Sequence, residues 1–328
     1  MQLITNVELP VSQSEIKHSD IILLMGSCFA ENIGNKLSDN KFRCDRNPFG
    51  ILYNPMSIYE ALSCILENKK YTDTDLMESG GKWFSLMHHG SFSSSSKEEC
   101  LNNINLRISE GHENLKKADW LIITFGTARV YRWSDDGRIV GNCHKLNSKL
   151  FTRELLEIDE VVSSYISLIT HIKEVNPKIK TIFTVSPIRH AKDGMHGNQI
   201  SKSVLLVAID KICSVMDNCH YFPSYEIMMD ELRDYRFYAD DMLHPSAMAV
   251  EYIWERFSQV YFSRSTLDIM KEYEEIRKGL NHKPFNPESD TYRKFLSQIL
   301  LKIDILKEKL PYLDVENEKL LCQTLLKK

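Results

Sequence analysis

The stretch that decides the fold of this chain spans residues 21–30 and reads Ile21-Ile22-Leu23-Leu24-Met25-Gly26-Ser27-Cys28-Phe29-Ala30. Its five apolar residues end at a glycine and a serine, and a helical pattern from Glu31 to Leu37 follows directly. This order predicts a buried strand, a tight turn and a helix. Ligands of open α/β sheets bind outside the carboxyl ends of the strands, so the turn places the Ser27 hydroxyl where a substrate would bind.

Ser27 has two interpretations. Free N–H groups and the dipole at a helix N-terminus stabilise negative charge, as a serine nucleophile and its oxyanion require. Serine is equally a preferred helix N-cap, and this stretch alone favours neither role. We expect the neighbouring Cys28 to pack inward, because adjacent helical residues point in different directions and free cysteines are usually buried.

A second polar segment lies near the other end of the chain and reads Asp240-Asp241-Met242-Leu243-His244-Pro245-Ser246. In a loop or a single turn, the spacing of Asp241 and His244 lets the carboxylate reach the imidazole. A carboxylate that fixes the histidine tautomer enables the ring to take a proton from serine. The same spacing also occurs in ordinary surface turns. Combined with Ser27 far upstream, it favours a triad in the order serine, aspartate, histidine.

The residues Gly26–Ala30 resemble the signature of the GSCFA family, a bacterial group placed among the SGNH (GDSL-like) hydrolases. Further stretches that are similar to the family are Asn47–Pro55, Phe125–Thr127, Ser186–His190 and Asp241–Ser246. The resemblance covers about the first 260 residues. It implies a serine hydrolase that works through an acyl-enzyme.

The resemblance also implies a role for individual positions. Ser27 matches the nucleophile, and Asp241 with His244 matches the last sequence block of SGNH enzymes. Gly50 matches the glycine whose backbone N–H points into the oxyanion hole. The third block of that group usually reads Gly-x-Asn-Asp, with the asparagine as another oxyanion donor; here it reads Gly126-Thr127-Ala128-Arg129.

The alanine in the third block has a consequence for catalysis. Loss of one oxyanion donor typically lowers turnover about a hundredfold to a thousandfold, so either another group replaces the asparagine or the activity is weak. His88 and His89 either line a pocket or face solvent, and Arg189 with His190 lies either at the site or in a solvated loop. The candidate oxyanion or substrate-binding residues beside Gly50 are Asn54, His88, His89, Gly126, Thr127, Arg129 and Arg189.

The patterns together predict a serine esterase. A short acyl group and a carbohydrate ester are expected only by analogy with SGNH enzymes. An O-acyltransferase would use the same triad. A non-catalytic binding or scaffold protein with a decayed site is the alternative that the alanine at position 128 supports.

Composition excludes other classes. The chain has 328 residues and a net charge of −4, so no basic face for nucleic acid is expected. The eight cysteines contain no C-x-x-C pair and the histidines no H-E-x-x-H, so we expect no metal, no cofactor and no disulfide framework. Residues 1–10 show no signal-peptide pattern, and the apolar run 21–25 is too short to span a membrane, which favours a cytoplasmic protein.

The wider pattern predicts a three-layer α/β/α sandwich around a mainly parallel five-stranded sheet, SGNH/flavodoxin-like, in residues 1–262. Residues 263–328 carry two helical patterns and no strand pattern, which predicts a helical C-terminal extension that docks on its own chain or on a second copy. A hairpin with Asp136-Gly137 at its turn is expected in residues 131–140. The predicted strands are Ile21–Gly26, Phe42–Cys44, Trp120–Phe125, Thr181–Val185 and His220–Phe222. The predicted helices are Glu31–Leu37, Ser57–Glu67, Glu98–Lys117, Glu154–Val175, Gln199–Met216, Ala247–Phe257, Ser265–Lys278 and Tyr292–Leu310.

Overall fold

The computed structural model describes residues 5–12 and 14–327. Residues 1–4 belong to the N-terminal stretch in which no signal-peptide pattern was found, and they lie outside the described residues. The strands are β1 (Ile21–Gly26), β2 (Arg43–Arg46), β3 (Met77–Ser79), β4 (Lys82–Phe84), β5 (Trp120–Phe125), β6 (Arg129–Trp133), β7 (Ile139–Val140), β8 (Phe151–Leu155), β9 (Lys180–Val185) and β10 (Cys219–Phe222). The helices are α1 (Cys28–Asp39), α2 (Pro55–Leu66), α3 (Lys97–Lys117), α4 (Ile158–Val175), α5 (Gly194–Val215), α6 (Ser224–Glu226), α7 (Ala247–Tyr261), α8 (Arg264–Asn281), α9 (Asp290–Lys309) and α10 (Glu316–Leu326). No helix in this described part is long and apolar enough to cross a membrane.

Five strands form one parallel sheet in the order β2-β1-β5-β9-β10, which confirms the predicted fold class. From β1 the chain moves outward to β2 and then returns to β5 on the other side of β1. The strand order therefore reverses between β1 and β5. In doubly wound folds a crevice opens at the carboxyl ends of the two strands that flank such a reversal. Ser27 follows β1 and Gly126 follows β5, so both residues lie at this crevice.

The two faces of the sheet bury alternate residues, as expected for strands covered on both sides. Leu23 and Met25 of β1 pack in the cluster that contains the apolar sides of α2, α3, α4 and α5. Ile22 and Leu24 pack in a second cluster with α1 and α7. The apolar run 21–25 therefore contributes side chains to one core on each face of the sheet. The sheet and the helices on its two faces form the three layers.

A small antiparallel sheet departs in part from expectation. The predicted hairpin is confirmed, since β6 pairs with β7 around Gly137. However, β8 adds a third strand on the other side of β6, with Val130 opposite Glu154. The prediction of a helix from Glu154 was therefore wrong by four residues, because residues 151–155 alternate in burial and continue the sheet before the helix begins at Ile158. The short β3–β4 hairpin was not predicted.

The helices after residue 263 form their own apolar cluster, which includes Leu296 and Ile303. The last helix, α10, was not predicted. The extension contacts the main sheet domain of the same chain: Tyr312 Oη lies 3.1 Å from His18 Nδ1, and Glu318 pairs with Lys41 at 2.8 Å. His18 and Lys41 precede β1 and β2, so the extension lies at the amino ends of the strands, opposite the crevice. A domain division after residue 262 stays a prediction.

Candidate active site

A glycine makes the turn at the end of β1. Gly26 has φ = 142°, and a Cβ there would lie 2.3 Å from Thr124 O. Its N–H donates to Asn47 Oδ1 at 2.9 Å, and its carbonyl accepts from Leu52 N at 3.0 Å. The close approach of β5 and the positive φ both exclude a side chain, which explains why glycine precedes Ser27.

Ser27 caps helix α1 and is only 1% exposed. Its Oγ accepts from Phe29 N at 3.3 Å, and its own N–H donates to Thr124 O at 3.3 Å. The capping interpretation of the sequence is therefore confirmed. Capping does not exclude nucleophilic attack, because the cap bond occupies one lone pair and leaves the hydroxyl proton free.

Asp241 and His244 form the expected pair in the loop before α7. His244 Nδ1 lies 2.5 Å from Asp241 Oδ2, and Asp241 Oδ1 accepts the N–H groups of Leu243 and His244, each at 2.9 Å. Donation by His244 N, Leu243 N and the ring lowers the pKa of Asp241 to about 2. The carboxylate is thus charged and holds the ring by Nδ1, which leaves Nε2 available as a proton acceptor.

The loop that carries this pair lies near the start of α1. Burial raises the pKa of the Cys28 thiol, and the nearby charges of Lys202 and Asp241 act on it in opposite directions. Cys28 is half-buried rather than packed in the core, so the expectation that it points fully inward was wrong. Within the described residues, Ser27 and His244 share no hydrogen bond, so proton transfer between them requires the two side chains to approach further.

The residues 47–54 tie together the two strands at the crevice. Tyr53 O accepts from the N–H groups of both Gly126 and Thr127, at 2.7 and 3.0 Å. The Gly50 N–H closes a turn on Asn47 O at 2.7 Å. Asn54 caps α2 through Ser57 N at 2.8 Å. These candidate residues lie at the crevice, but their polar groups already have partners.

In the third sequence block, the side chain of Ala128 faces the core. Ala128 is 0% exposed, and its N–H donates to Ser201 Oγ at 2.7 Å. Thr127 Oγ1 lies 3.0 Å from the same hydroxyl. An asparagine at position 128 would therefore enter packed apolar surroundings rather than the crevice.

The two adjacent histidines differ in environment. His88 is 0% exposed, stacks on Phe49 with ring centroids 4.1 Å apart, and has its pKa lowered to about 3 by burial. It is a core histidine, neither solvent-exposed nor positioned to accept catalytic protons. His89 is half-buried, and its N–H donates to Phe49 O at 2.9 Å. A Cβ on Gly50 would lie 2.2 Å from His89 Cβ, so His89 lines the turn that contains Gly50.

The two candidate arginines have different partners. Arg129 Nε lies 3.5 Å from Asp193 Oδ1. Arg189 follows β9, and its Nη2 lies 3.1 Å from Met229 Sδ. Both side chains are half-buried near the carboxyl edge of the sheet.

Two further groups lie at the crevice: Lys202, which was not among the expected site residues, and His190, which was expected either at the site or in a solvated loop. Lys202 of α5 is 1% exposed, and its Nζ donates to Gly126 O at 2.7 Å and to Ser186 O at 2.8 Å. Burial lowers its pKa to about 7. His190 Nε2 would lie 3.5 Å from a Cβ on Gly126, and burial lowers the pKa of His190 to about 4. Lys202 lies within an apolar helical pattern that predicts core packing. A lysine inside such a pattern is the one signal in the sequence that could have identified Lys202 as a buried charge.

A search of curated proteins finds no match. Solved structures similar to the chain include a family 3 carbohydrate esterase from Clostridium thermocellum, with 10% identity, a TM-score of 0.34, and coverage of 78% of this chain and 98% of that chain. Another is the acetyl xylan esterase Est2A from Butyrivibrio proteoclasticus, with 15% identity, a TM-score of 0.31, and coverage of 81% and 67%.

Sequence models of protein families match most of the chain. The model described as "GSCFA domain protein, C-terminal domain" matches residues 273–328. The model of the GSCFA family itself matches residues 21–257, from the first strand of the sheet almost to the end of α7. This chain therefore belongs to the GSCFA family.

Proposed function

We propose that the chain is a serine esterase in which Ser27 is the nucleophile, His244 the general base and Asp241 the residue that orients His244. The observation that carries the proposal is the Asp241 carboxylate bonded to His244 Nδ1 in the loop before α7, a helix that packs in the same apolar cluster as α1. Ser27 itself follows the strand at which the sheet order reverses.

In the proposed reaction, Ser27 Oγ attacks the ester carbon while its proton passes to His244 Nε2. The alcohol leaves with that proton, and an acyl-enzyme remains. Water then attacks the acyl carbon and gives a proton to His244 Nε2, which passes it to Ser27 Oγ as the acid leaves. The same steps with a sugar hydroxyl in place of water would make the protein an O-acyltransferase.

The oxyanion is assigned mainly to N–H groups at the start of α1. The bond from Ser27 N to Thr124 O is long at 3.3 Å, and Cys28 N lies in the first turn, where the helix dipole favours negative charge. Gly50, the donor implied by the family resemblance, takes part only after its 2.7 Å bond to Asn47 O opens. The N–H groups of Gly126 and Thr127 are not used, since Tyr53 O holds both.

The test is covalent labelling by a serine-directed fluorophosphonate. We expect the wild-type protein and Cys28→Ala to be labelled and Ser27→Ala not to be labelled. Labelling that persists in Ser27→Ala and disappears in Cys28→Ala would show that Cys28 is the nucleophile and that the assignment to Ser27 is wrong. An absence of labelling in the wild type across pH 5–9 would contradict the esterase and support the scaffold alternative.

The acyl group and the acceptor are a finer part of the proposal. We propose a short acyl group, such as acetyl, on a small molecule or carbohydrate. Rates with 4-nitrophenyl acetate, butyrate and octanoate test the chain length, and a rate that rises with chain length would contradict it. Addition of a sugar alcohol separates the two reactions, because an acyltransferase yields acylated sugar in place of free acid.

A further inference from the structure

Arg189 differs from the other half-buried arginines of the described chain. Six of the seven lie within 4.0 Å of a carboxylate of this protein, and Arg189 does not. The six paired arginines are Arg46, Arg107, Arg129, Arg132, Arg153 and Arg256. Partly buried guanidinium groups are normally paired because an unpaired charge away from water is costly.

Within the described residues, no oxygen atom accepts a hydrogen bond from the side chain of Arg189. Its Nη2 has the thioether of Met229 as partner at 3.1 Å, and a thioether is a weak acceptor. Its Nε is buried and has no hydrogen-bond partner within the described residues. A guanidinium in this state is suited to an acceptor that the protein itself does not supply.

Arg189 belongs to the crevice that contains the proposed triad. The next residue, His190, lies against Gly126 at the end of β5, and the charge of His244 acts on its ring. On its other side, Arg189 lies near enough to Tyr225 to act on the phenol, and Lys202 Nζ lies 5.3 Å from the centre of that ring. Arg189 therefore follows β9 at the same edge of the sheet as Gly126 and lies near Tyr225.

The surrounding charges are mostly positive. Lys202 and Arg153 both help to lower the pKa of His190, whose main cause is burial, and Asp193 opposes them. Asp193 is itself shared between Arg129 and Arg153. Because Asp193 pairs with Arg129 and Arg153, and burial lowers the pKa of Lys202 to about 7, Arg189 is the permanently charged group of this set that has no carboxylate of the described residues within 4.0 Å, which favours an anionic ligand.

We propose that the substrate is an ester that also carries a carboxylate or a phosphate, and that the guanidinium of Arg189 binds that anion. Planar guanidinium groups form two parallel hydrogen bonds with either anion, so the bond would orient the substrate as well as hold it. This inference rests on the proposed function, because it assigns the substrate class of the same site.

The test measures binding without hydrolysis. Three acetyl esters with the same phenyl ring are titrated by calorimetry into the Ser27→Ala protein: 4-acetoxybenzoate, its neutral methyl ester, and 4-acetoxyphenyl phosphate. We expect at least one of the two anionic esters to bind at least about tenfold more tightly than the methyl ester. The better of the two anions identifies the charged group. We expect Arg189→Met to remove this preference.

Arg293→Met is the matched control, because it removes the same charge from an exposed position on α9 that has no carboxylate within 4.0 Å. It should keep the preference. Equal binding of all three esters to Ser27→Ala would overturn the inference even if the Arg189 variant does not fold. A preference that survives in folded Arg189→Met or Arg189→Gln would overturn the assignment to Arg189.

The outcomes separate this inference from the proposed function. Anion preference in binding without fluorophosphonate labelling of the wild type would refute the esterase and leave the anion site standing. Labelling of Ser27 without anion preference would refute the anion site alone.

Discussion

Replacement of Lys202 by methionine isolates the effect of one buried charge beneath the crevice. The side chain is 1% exposed, and its Nζ donates to the carbonyls of Gly126 and Ser186, which follow β5 and β9. Methionine has a similar length and does not titrate. The comparison of the two proteins therefore shows how protonation of Lys202 affects folding.

The magnitude follows from the pKa. Burial lowers the pKa of Lys202 from 10.5 to about 7, which corresponds to about 5 kcal/mol. Below pH 7 both the folded and the unfolded chain carry the proton, and the full cost of burying the charge opposes folding. Between pH 7 and 10.5 the unfolded chain holds the proton and the folded chain loses it, so the stability of the wild type rises with pH. Above pH 10.5 the cost is absent.

Urea unfolding of both proteins at pH 7, 8 and 9 measures this dependence. The free energy of unfolding of the wild type, minus that of Lys202→Met, should increase by about 2 kcal/mol between pH 7 and 9. Titrating groups on which the charge of Lys202 does not act are common to both proteins and cancel in the difference. Lys117→Met, at a side chain that is 64% exposed, should show no such slope. A flat difference for Lys202→Met would refute the reasoning, because the lysine would then keep its proton throughout.

Three other predictions concern the turn, the triad and the third block. Gly26→Ala should lower the free energy of unfolding in urea by at least about 2 kcal/mol more than Gly137→Ala. Both positions have positive φ, but a Cβ at Gly26 would meet Thr124 O, whereas a Cβ at Gly137 would meet nothing within 4 Å. Equal losses of unfolding free energy in the two variants would contradict the steric argument. Asp241→Asn should slow fluorophosphonate labelling of Ser27 at least about a hundredfold. Because the pKa of Asp241 is about 2, its carboxylate is charged throughout pH 4–9, so a step in the wild-type labelling rate near pH 4 that disappears in the variant would contradict the assignment. Ala128→Asn should lower the free energy of unfolding by about 1–3 kcal/mol without faster labelling, since the amide would enter the core; faster labelling would show that position 128 faces the crevice.

The parts of the fold that were predicted correctly depend on local patterns. Apolar runs bounded by glycine or polar residues located the five main strands to within a few residues, and the pattern between them located most helices. The errors arose where a pattern was short: β8 has five residues of alternating burial next to a helix, and β3 with β4 has three residues each. A strand of that length has too few repeats for its period to be distinguished from its surroundings.

The same distinction between local and distant contacts applies to the candidate site. The pairing of Asp241 with His244 was predictable because both residues lie within one turn, so their separation depends on few backbone angles. The same holds for Ser27 as the cap of α1. The environment of His88 and Ala128 was not predictable, because burial there depends on packing against residues distant in sequence.

The sequence by itself determined the strand, the glycine turn and the capped helix around Ser27. It also determined the alternation of strands and helices that produces a parallel sheet, and the pairing of Asp241 with His244. All of these features arise from contacts between near neighbours in the chain. Only the tertiary structure decided that Lys202 lies buried under the ends of β5 and β9 and that Arg189 has no carboxylate beside it. A lysine or an arginine has the same chemistry wherever it occurs. Its charge acquires a role from the partners and the solvent around it, and those are set by segments that meet only when the chain folds.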